Sequence, residues 1–258
     1  MNRQSAIDLN ADLGESFGAW KMGDDEAMLE IVTSANIACG FHAGGPIEMA
    51  TTIRLCRDKG VAAGAHPGFD DLRGFGRRRL PVTDIASLRS DLIYQVGAFI
   101  GMATALNVTP AHIKLHGALS NMACEDESLS SACVAAFRQV APDLPILAQA
   151  ATALERAAAS DGGPLIREVF ADRAYNADGT LVARGTEGAM IHDAAEAADR
   201  LLAFLESGLM PVIDGDPIPL QAHSICVHGD SPTAVAMARE VRRKLLQSGV
   251  SVERFIDS

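Results

Sequence analysis

The stretch AIDLNADLGE, residues 6–15, alternates apolar and polar side chains at successive positions over most of its length. Because the side chains of a β-strand point to its two faces in turn, Asp8, Asn10 and Asp12 share one face and the apolar residues between them share the other. In a barrel of parallel strands the outer face packs against helices and must be apolar, so the polar row turns into the lumen and leads to its C-terminal mouth. This stretch therefore predicts an inward-facing polar strand of a (β/α) barrel.

Short β-type runs and longer helical stretches alternate along the rest of the chain, which is typical of parallel βα units. The predicted strands cover residues 6–12, 34–40, 61–66, 111–116, 145–150, 165–171 and 224–228. The predicted helices cover residues 24–33, 46–59, 83–106, 127–140, 152–159, 193–206 and 231–247. Gly60, Gly162, Gly208 and Gly249 stand just past predicted helix ends, where a left-handed residue is commonly needed.

No linker, repeat or low-complexity tract divides the chain, so we expect one α/β domain over residues 1–258. The seven predicted strands make a single, seven-stranded (β/α) barrel the expected fold. An open doubly wound sheet is the alternative. It is disfavoured because no Gly-x-Gly-x-x-Gly sequence follows a predicted strand and no Walker A sequence occurs.

The composition excludes several classes of protein. Hydrophobic residues make up 48% of the 258 residues and charged residues 21%, which excludes wholesale disorder. The 33 acidic and 22 basic residues give a net charge of −11, so we expect no nucleic acid partner. Five scattered cysteines with no Cys-x-x-Cys pair indicate neither a disulfide framework nor a structural zinc site.

The sequence predicts a cytoplasmic protein that does not enter a membrane. Arg3 and Asp8 interrupt the apolar run that an export signal would need near the start of the chain. Residues 92–111 carry no charge, but polar and helix-breaking residues such as Gln95 and Pro110 interrupt them. A buried amphipathic helix is therefore favoured over a membrane span at this segment.

Four of the seven histidines lie at or just after the ends of predicted strands: His42, His66, His116 and His228. Barrel enzymes collect their catalytic residues at this end, although a hydrogen-bonded core histidine is the alternative for each one. The same alternation places Lys114 on an inward-facing row, where a buried ammonium needs a carboxylate such as Asp8 or Asp12. The pattern predicts a functional site at the barrel mouth.

Two glycine-rich loops lead into this predicted mouth. Residues 64–79 carry four arginines in an acidic protein, and we expect an anion-binding lid in which Arg77 and Arg78 hold a carboxylate or phosphate. A solvated surface turn is the alternative. Residues 36–46 pass from strand to helix through three glycines, which allow backbone N–H groups to face an anion. For Cys39 and Cys226 we favour a packing role, because neither has an evident local base.

The sequence resembles the LamB/YcsF family. The stretches that carry the resemblance are 8–15 (DLNADLGE), 34–44 (SANIACGFHAG), 64–67 (GAHP), 74–78 (GFGRR), 116–119 (HGAL) with Lys114, 168–173 (EVFADR), Arg184 and 226–230 (CVHGD). The sequence departs from the usual family pattern at Gly45, Leu115, Ser120 and 68–70. The resemblance implies a barrel of the glycoside hydrolase/deacetylase type. It also implies ATP-dependent hydrolysis of the lactam 5-oxoproline to L-glutamate, together with the B and C subunits of a 5-oxoprolinase. The departures from the family pattern leave a related small lactam as an alternative substrate.

The strand ends and the resemblance together give a set of candidate site residues. We expect the catalytic residues to be Asp12, His42, His66, Lys114 and His116. We expect the substrate or a phosphate to contact Asp8, Asn10, Arg77, Arg78, Arg184 and His228. ATP is the expected cofactor, with Mg²⁺ or a bound transition metal ion.

Two other functions stay open at the level of sequence. One is a metal-dependent carbohydrate deacetylase or hydrolase, in which Asp12, His42 and His66 hold the ion, because two imidazoles and a carboxylate suit a catalytic zinc site. The other is a noncatalytic subunit that binds the substrate for partners that hold the nucleotide. The absence of a Walker A sequence slightly favours the second function as far as ATP itself is concerned.

Overall fold

Parallel strands form a closed barrel in the computed structural model, which describes residues 5–227 and 234–255. The strands in these ranges are β1 (Ala6–Leu13), β2 (Ser34–Ala38), β3 (Ala62–His66), β4 (Ile113–Lys114), β5 (Ile146–Gln149), β6 (Leu165–Phe170), β7 (Leu209–Met210), β8 (Ile218–Pro219), β9 (Ser224–Cys226) and β10 (Ser251–Val252). Strands β1 to β6 follow one another around the barrel, and β9 pairs with both β6 and β1 to close it. The predicted seven-stranded barrel is therefore confirmed.

Helices follow most of the barrel strands. Those in the described ranges are α1 (Asp25–Met28), α2 (Pro46–Lys59), α3 (Ile85–Ala105), α4 (Gly117–Glu125), α5 (Glu127–Val140), α6 (Ala153–Asp161), α7 (Ala194–Ser207) and α8 (Ala234–Gln247), with a 3-10 turn at Leu72–Gly74. The predicted bounds of α2 and α5 are correct at both ends. Gly60, Gly162 and Gly208 end α2, α6 and α7 with φ values of 69°, 78° and 73°, as their positions predict.

The sequence-based prediction missed several short elements. Helix α4 was not predicted, and β4 has two residues where a strand over 111–116 was expected. The antiparallel hairpin of β7 and β8 was also missed, as was β10, which pairs with the first two residues of β1. Two-residue strands are too short to show an alternating pattern, so nothing in the sequence distinguishes them from loops.

Helix α3 covers most of the uncharged segment at 92–111 and packs one face into the protein. Leu92, Val96, Phe99 and Ala103 are buried along that face at helical spacing. The polar Gln95 is also buried, where its side chain hydrogen-bonds both the backbone N–H and the carbonyl oxygen of Gly68. Among the described residues, no helix has the length and apolar character that crossing a membrane requires.

The two faces of β1 divide as the sequence predicts. Leu9, Ala11 and Leu13 belong to the hydrophobic core, whereas Asp8 and Asn10 are buried in the lumen. At the closing seam the register pairs Asp8 with Ser224 and Asn10 with Cys226, and on the other side β2 pairs Asp12 with Asn36. Polar side chains from several strands therefore meet inside the barrel. That residues 1–258 form one domain stays a prediction.

Candidate active site

The lower end of the lumen is closed by hydroxyl groups around Asp8. Thr33 Oγ1 and Ser34 Oγ donate hydrogen bonds to Asp8 Oδ1 at 2.6 and 2.7 Å, and Ser224 Oγ donates to Asp8 Oδ2. Burial raises the pKa of Asp8 to about 6, although the hydroxyl groups counteract part of this effect. Four residues of strand place Asp8 about 13 Å from Asp12 along β1. Asp8 faces inward as predicted, but the structure does not bring it to the mouth where we expected it to bind substrate.

An amide pair forms the next layer of the lumen. Asn36 Nδ2 donates to Asn10 Oδ1 at 2.7 Å and to Asp12 Oδ1 at 2.8 Å. His112 Nε2 lies 2.6 Å from Asn36 Oδ1 and is therefore the nitrogen that carries hydrogen. Asn10 in turn donates from Nδ2 to Ser224 at 2.8 Å. This layer fixes Asn10 and Asp12 beneath the mouth, so Asn10 supports the site from below.

Lys114 lies at the centre of the barrel between two carboxylates. Its Nζ is 3.1 Å from Asp12 Oδ1 and 2.8 Å from Glu168 Oε1, and it donates to Asn10 Oδ1 and Cys226 Sγ at 3.2 Å each. Burial by itself would lower the pKa of Lys114, but Asp12, Cys226 and Glu168 outweigh it and hold the pKa well above the usual value. Lys114 is therefore a permanent cation at neutral pH, and the expected carboxylate partner is found in Asp12.

Glu168 and Asp12 respond differently to the same lysine. Burial raises the pKa of Glu168 despite the opposing effect of Lys114. For Asp12, the neighbouring His66 and Lys114 oppose the effect of burial, and the pKa lies well below its usual value. Asp12 therefore keeps its negative charge at the mouth, within 3.3 Å of His66 Nε2.

The tautomers of His66 and His116 follow from their backbone contacts. His66 Nδ1 lies 2.9 Å from the carbonyl oxygen of Lys114, and His116 Nε2 lies 2.9 Å from that of Phe75. A carbonyl oxygen only accepts, so these two nitrogens carry hydrogen. The remaining nitrogens, His66 Nε2 and His116 Nδ1, are 3.0 Å apart and both present lone pairs when the rings are neutral. Burial lowers the pKa of His116 to about 3, which favours its neutral ring.

His42 and Glu15 complete a cluster with these two rings. The ring of His42 stacks on that of His116 with centroids 3.7 Å apart, and its nitrogens have no hydrogen-bond partner among the described residues. Glu15 Oε1 is 3.7 Å from both His42 Nε2 and His116 Nδ1. One atom from each of the four side chains lies within 4.8 Å of the others.

The donor atoms of this cluster suit a divalent transition metal ion. Imidazole nitrogen and carboxylate oxygen are the ligands that Zn²⁺ and similar ions prefer, and histidine ligands commonly donate their second N–H to a carbonyl. The predicted ligand set of Asp12, His42 and His66 is thus partly revised. His42 and His66 meet His116 and Glu15, whereas Asp12 is bonded to Lys114 and Asn36.

Glycines in the 64–79 loop let the backbone pass close over the histidines. Gly76 has φ of 60°, and a Cβ there would lie 2.7 Å from both His116 Cδ2 and His42 Cβ. A Cβ on Gly68 would lie 3.0 Å from His42 Nδ1. This loop therefore covers the histidine cluster, and its glycines are required by the close approach.

A pocket of about 230 Å³ opens at the barrel mouth above these residues. Its lining includes Asp12, His66, Lys114 and His116 from the lumen, together with Arg77, Arg79, Arg173 and Arg184. Leu115 and Ser120, two of the departures from the family pattern, also line it. A larger cavity of about 780 Å³ lies on the flank beside the β7–β8 hairpin and contains none of the lumen residues. The smaller pocket is therefore the candidate site.

The structure does not bring all the predicted residues to this pocket. Arg78 turns away from it and forms a bidentate contact with Asp71. Arg77 lines the pocket as expected, and so does Arg79, which forms a bidentate ion pair with Glu125. His228 lies outside the described residues. Arg184 lines the pocket as expected.

Sequence reasoning missed several residues of the site. Glu168 faces inward at the end of β6, and the alternation of that strand was a usable signal for it. Cys226 was assigned to packing, but its sulfur contacts Lys114. Glu15 and Arg173 follow strands β1 and β6 in loops, where no alternating pattern shows which way a side chain points.

The chain is similar along almost its full length to proteins that share one name. It is 51% identical over 249 residues to the 5-oxoprolinase A subunit of Ruegeria pomeroyi, covering 96% of this chain and 98% of that protein. It is 49% identical to the 5-oxoprolinase A subunit of Paracidovorax citrulli, covering 96% of this chain and 99% of that protein. The crystal structure of a lactam utilization protein from Thermus thermophilus superposes with a TM-score of 0.90 at 40% identity, covering 96% of this chain and 99% of that one.

These similarities agree with the motifs at the barrel mouth. The lumen residues Asp12, His66, Lys114 and His116 all lie in the stretches that carry the family resemblance. The model of the LamB/YcsF family matches residues 7–258. The chain therefore belongs to the LamB/YcsF family.

Proposed function

We propose that this chain is the lactam-binding subunit of an ATP-dependent 5-oxoprolinase, which opens 5-oxoproline to L-glutamate together with the B and C subunits. The names of its relatives support a subunit role. The observation that carries the proposal is the mouth pocket, where a permanently charged Lys114 forms the floor beside Asp12 and the lone-pair nitrogens of His66 and His116. A cytoplasmic location agrees with the five cysteines, all of which are free and buried.

Opening an unstrained five-membered lactam is difficult because amide resonance must be broken. Phosphorylation of the carbonyl oxygen by ATP would make the carbonyl carbon electrophilic. In this proposal Lys114 and Arg77 neutralise the charge on the phosphoryl group or on the developing oxyanion. His66 lines the pocket and takes the proton of the attacking water, and Asp12, 3.3 Å from its Nε2, orients it.

The reaction itself tests this proposal. The purified chain is mixed with 5-oxoproline and ATP, with and without its partner subunits, and the release of glutamate and of phosphate is followed together. We expect equal amounts of the two products from the complete mixture. Phosphate release without glutamate, or no release of either from the complete mixture, would contradict the proposal.

The cluster of Glu15, His42, His66 and His116 favours a second candidate, metal-dependent hydrolysis of an amide or ester such as an acetylated carbohydrate. A divalent ion held by these residues would supply an activated water molecule. Elemental analysis after gentle purification separates the two candidates. A stoichiometric transition metal in the protein, together with loss of hydrolytic activity when a chelator removes that metal in magnesium buffer, supports metal-dependent hydrolysis. The absence of such a metal, with full turnover after chelation, eliminates it.

A further inference from the structure

Arg173 is a buried cation at the edge of the mouth pocket. It lies three residues after the end of β6, its side chain is 3% exposed, and it contributes to the lining of the pocket. Its Nη2 donates to the carbonyl oxygen of Val182 at 2.6 Å. The guanidinium is thus held in place from the side of the protein.

Among the described residues, no carboxylate forms an ion pair with the guanidinium of Arg173. Within residues 5–227 and 234–255, Arg173 forms no ion pair, and its buried Nε makes no hydrogen bond. Burial lowers its pKa to about 10, and the positive charges of Arg184 and Arg77 act in the same direction, while the charge of Asp172 opposes them. The group is still protonated at neutral pH, in a region where other cations add to the positive potential.

Lys114 shows how this protein treats a buried cation that it neutralises itself. That ammonium has two carboxylates within 3.1 Å, Asp12 and Glu168. A buried cation without such partners is costly, and it persists where a ligand supplies the opposite charge. Because the charge of Lys114 is already balanced, an anion that enters the pocket meets at Arg173 a buried cation that forms no ion pair among the described residues.

We propose that Arg173 binds the carboxylate of the substrate and so makes the pocket selective for a lactam that carries an acid group. The inference rests on the proposed function and adds the part of the substrate that is recognised. The planar guanidinium forms two parallel hydrogen bonds with a carboxylate, which fixes the direction of the ring. With the acid group at Arg173, the ring amide is left to contact Asp12, His66 and Lys114, which line the same pocket.

The test compares 5-oxoproline with 2-pyrrolidinone, the same lactam without the carboxylate, as substrate or competitive inhibitor of the assembled complex. Arg173→Met removes the charge and keeps the aliphatic stem. Arg173→Lys keeps the charge but cannot form the two parallel hydrogen bonds of the guanidinium. Arg89→Met on α3 is the matched control, since Arg89 hydrogen-bonds Gln139 and does not line the pocket. For Arg173→Met we expect the KM for 5-oxoproline to rise about 10- to 100-fold, the range for losing a charge-assisted hydrogen bond. The kcat at saturation and the constants for 2-pyrrolidinone should change less than about twofold.

Three outcomes would overturn the inference. They are an unchanged KM for 5-oxoproline in Arg173→Met, an equal loss with both lactams, and a KM in Arg89→Met that rises as much as in Arg173→Met. Thermal unfolding checks the fold of each variant, and Arg173→Lys, with an expected intermediate KM, gives the answer if Arg173→Met does not fold.

A wild-type complex that does not hydrolyse 5-oxoproline would contradict the proposed function instead. The inference is then decided by thermal unfolding of the isolated chain with 5-oxoproline and with other small carboxylic acids. Stabilisation of the wild-type chain that is reduced in Arg173→Lys and lost in Arg173→Met supports it. No stabilisation, or equal stabilisation of all three proteins, overturns it.

Discussion

The ammonium of Lys114 balances the charges of Asp12 and Glu168 inside the barrel. Its removal should therefore lower both the stability of the fold and the activity, and the two effects can be separated. Lys114→Met leaves two buried carboxylates without their cation, and we expect a loss of about 3–5 kcal/mol in the free energy of unfolding in urea. Adding Glu168→Gln removes one of those charges and should restore part of the stability, but not the activity of the assembled complex. A stability loss below about 1 kcal/mol, or activity within a few-fold of wild type, would remove the corresponding role of Lys114.

Asp8 predicts an unusual dependence of stability on pH. Its pKa is raised to about 6 in the folded protein against 3.8 for the unfolded reference, so the folded state binds the proton more tightly. Stability from this group is complete below about pH 4 and is lost as the pH rises through 6, which amounts to about 3 kcal/mol. Asp8→Asn lacks this titration. Urea unfolding from pH 4 to 7 should therefore show wild type losing about 3 kcal/mol relative to Asp8→Asn, and parallel curves would contradict the assignment.

The residues that sequence could place are those on regular strands. His66, Lys114 and Asp12 were predicted because each lies within a strand or at its end, where the alternation of faces fixes its direction. Glu15 and Arg173 were not, because each follows a strand in an irregular segment. The direction of Arg78 was also unpredictable, since it depends on the contact with Asp71 formed by a local turn.

At the scale of an element, the 64–79 loop can pack against His42 and His116 only because Gly76 has no side chain. Gly76→Ala adds a Cβ at a left-handed φ of 60°, 2.7 Å from His42 and His116, and should cost about 2 kcal/mol of stability or more. Gly101→Ala on α3 is the matched control, because nothing lies within 4 Å of its Cβ, and should add about 0.5–1 kcal/mol. Urea unfolding of the two variants measures both. Equal changes in the free energy of unfolding would show that the loop does not pack closely against the histidine cluster.

Long elements were predictable and short ones were not. The bounds of α2 and α5 follow from Pro46 and Glu127 at the start and from helical spacing within. The strand expected at 111–116 is limited to Ile113–Lys114, and α4 begins three residues later at Gly117, which has φ of 55°. A left-handed glycine soon after a strand can begin a helix or lie in a loop, and the sequence does not distinguish the two cases.

At the scale of the whole molecule, the histidine cluster ties together the ends of four neighbouring strands. Glu15 follows β1, His42 follows β2, His66 ends β3 and His116 follows β4. An ion that binds only the folded barrel stabilises it by about 2.7 kcal/mol at a hundredfold excess over Kd. We expect Zn²⁺ or Mn²⁺ added after dialysis against a chelator to raise the unfolding temperature of wild type. His42→Asn should lose this shift, and the exposed His192→Asn should keep it; equal shifts in all three would exclude a site at the cluster.

Seven parallel strands were the part of the architecture that the sequence predicted best. The polar row of β1 and the regular alternation of elements sufficed for the barrel and for the end at which its chemistry gathers. The closing contact of β1 with β9 joins residues more than two hundred positions apart, and no local pattern records that register. The depth at which Asp8 lies was accordingly not predicted.

The most direct test of the account is the release of glutamate and phosphate by complexes that contain His116→Asn or His192→Asn. The two variants make the same chemical change, one beside His66 at the pocket and one on the surface. We expect the His116→Asn complex to lose glutamate release by about 100-fold or more, because the ring beside His66 Nε2 is removed, while the His192→Asn complex keeps wild-type rates. Activity of the His116→Asn complex within a few-fold of wild type would contradict an active site at the barrel mouth.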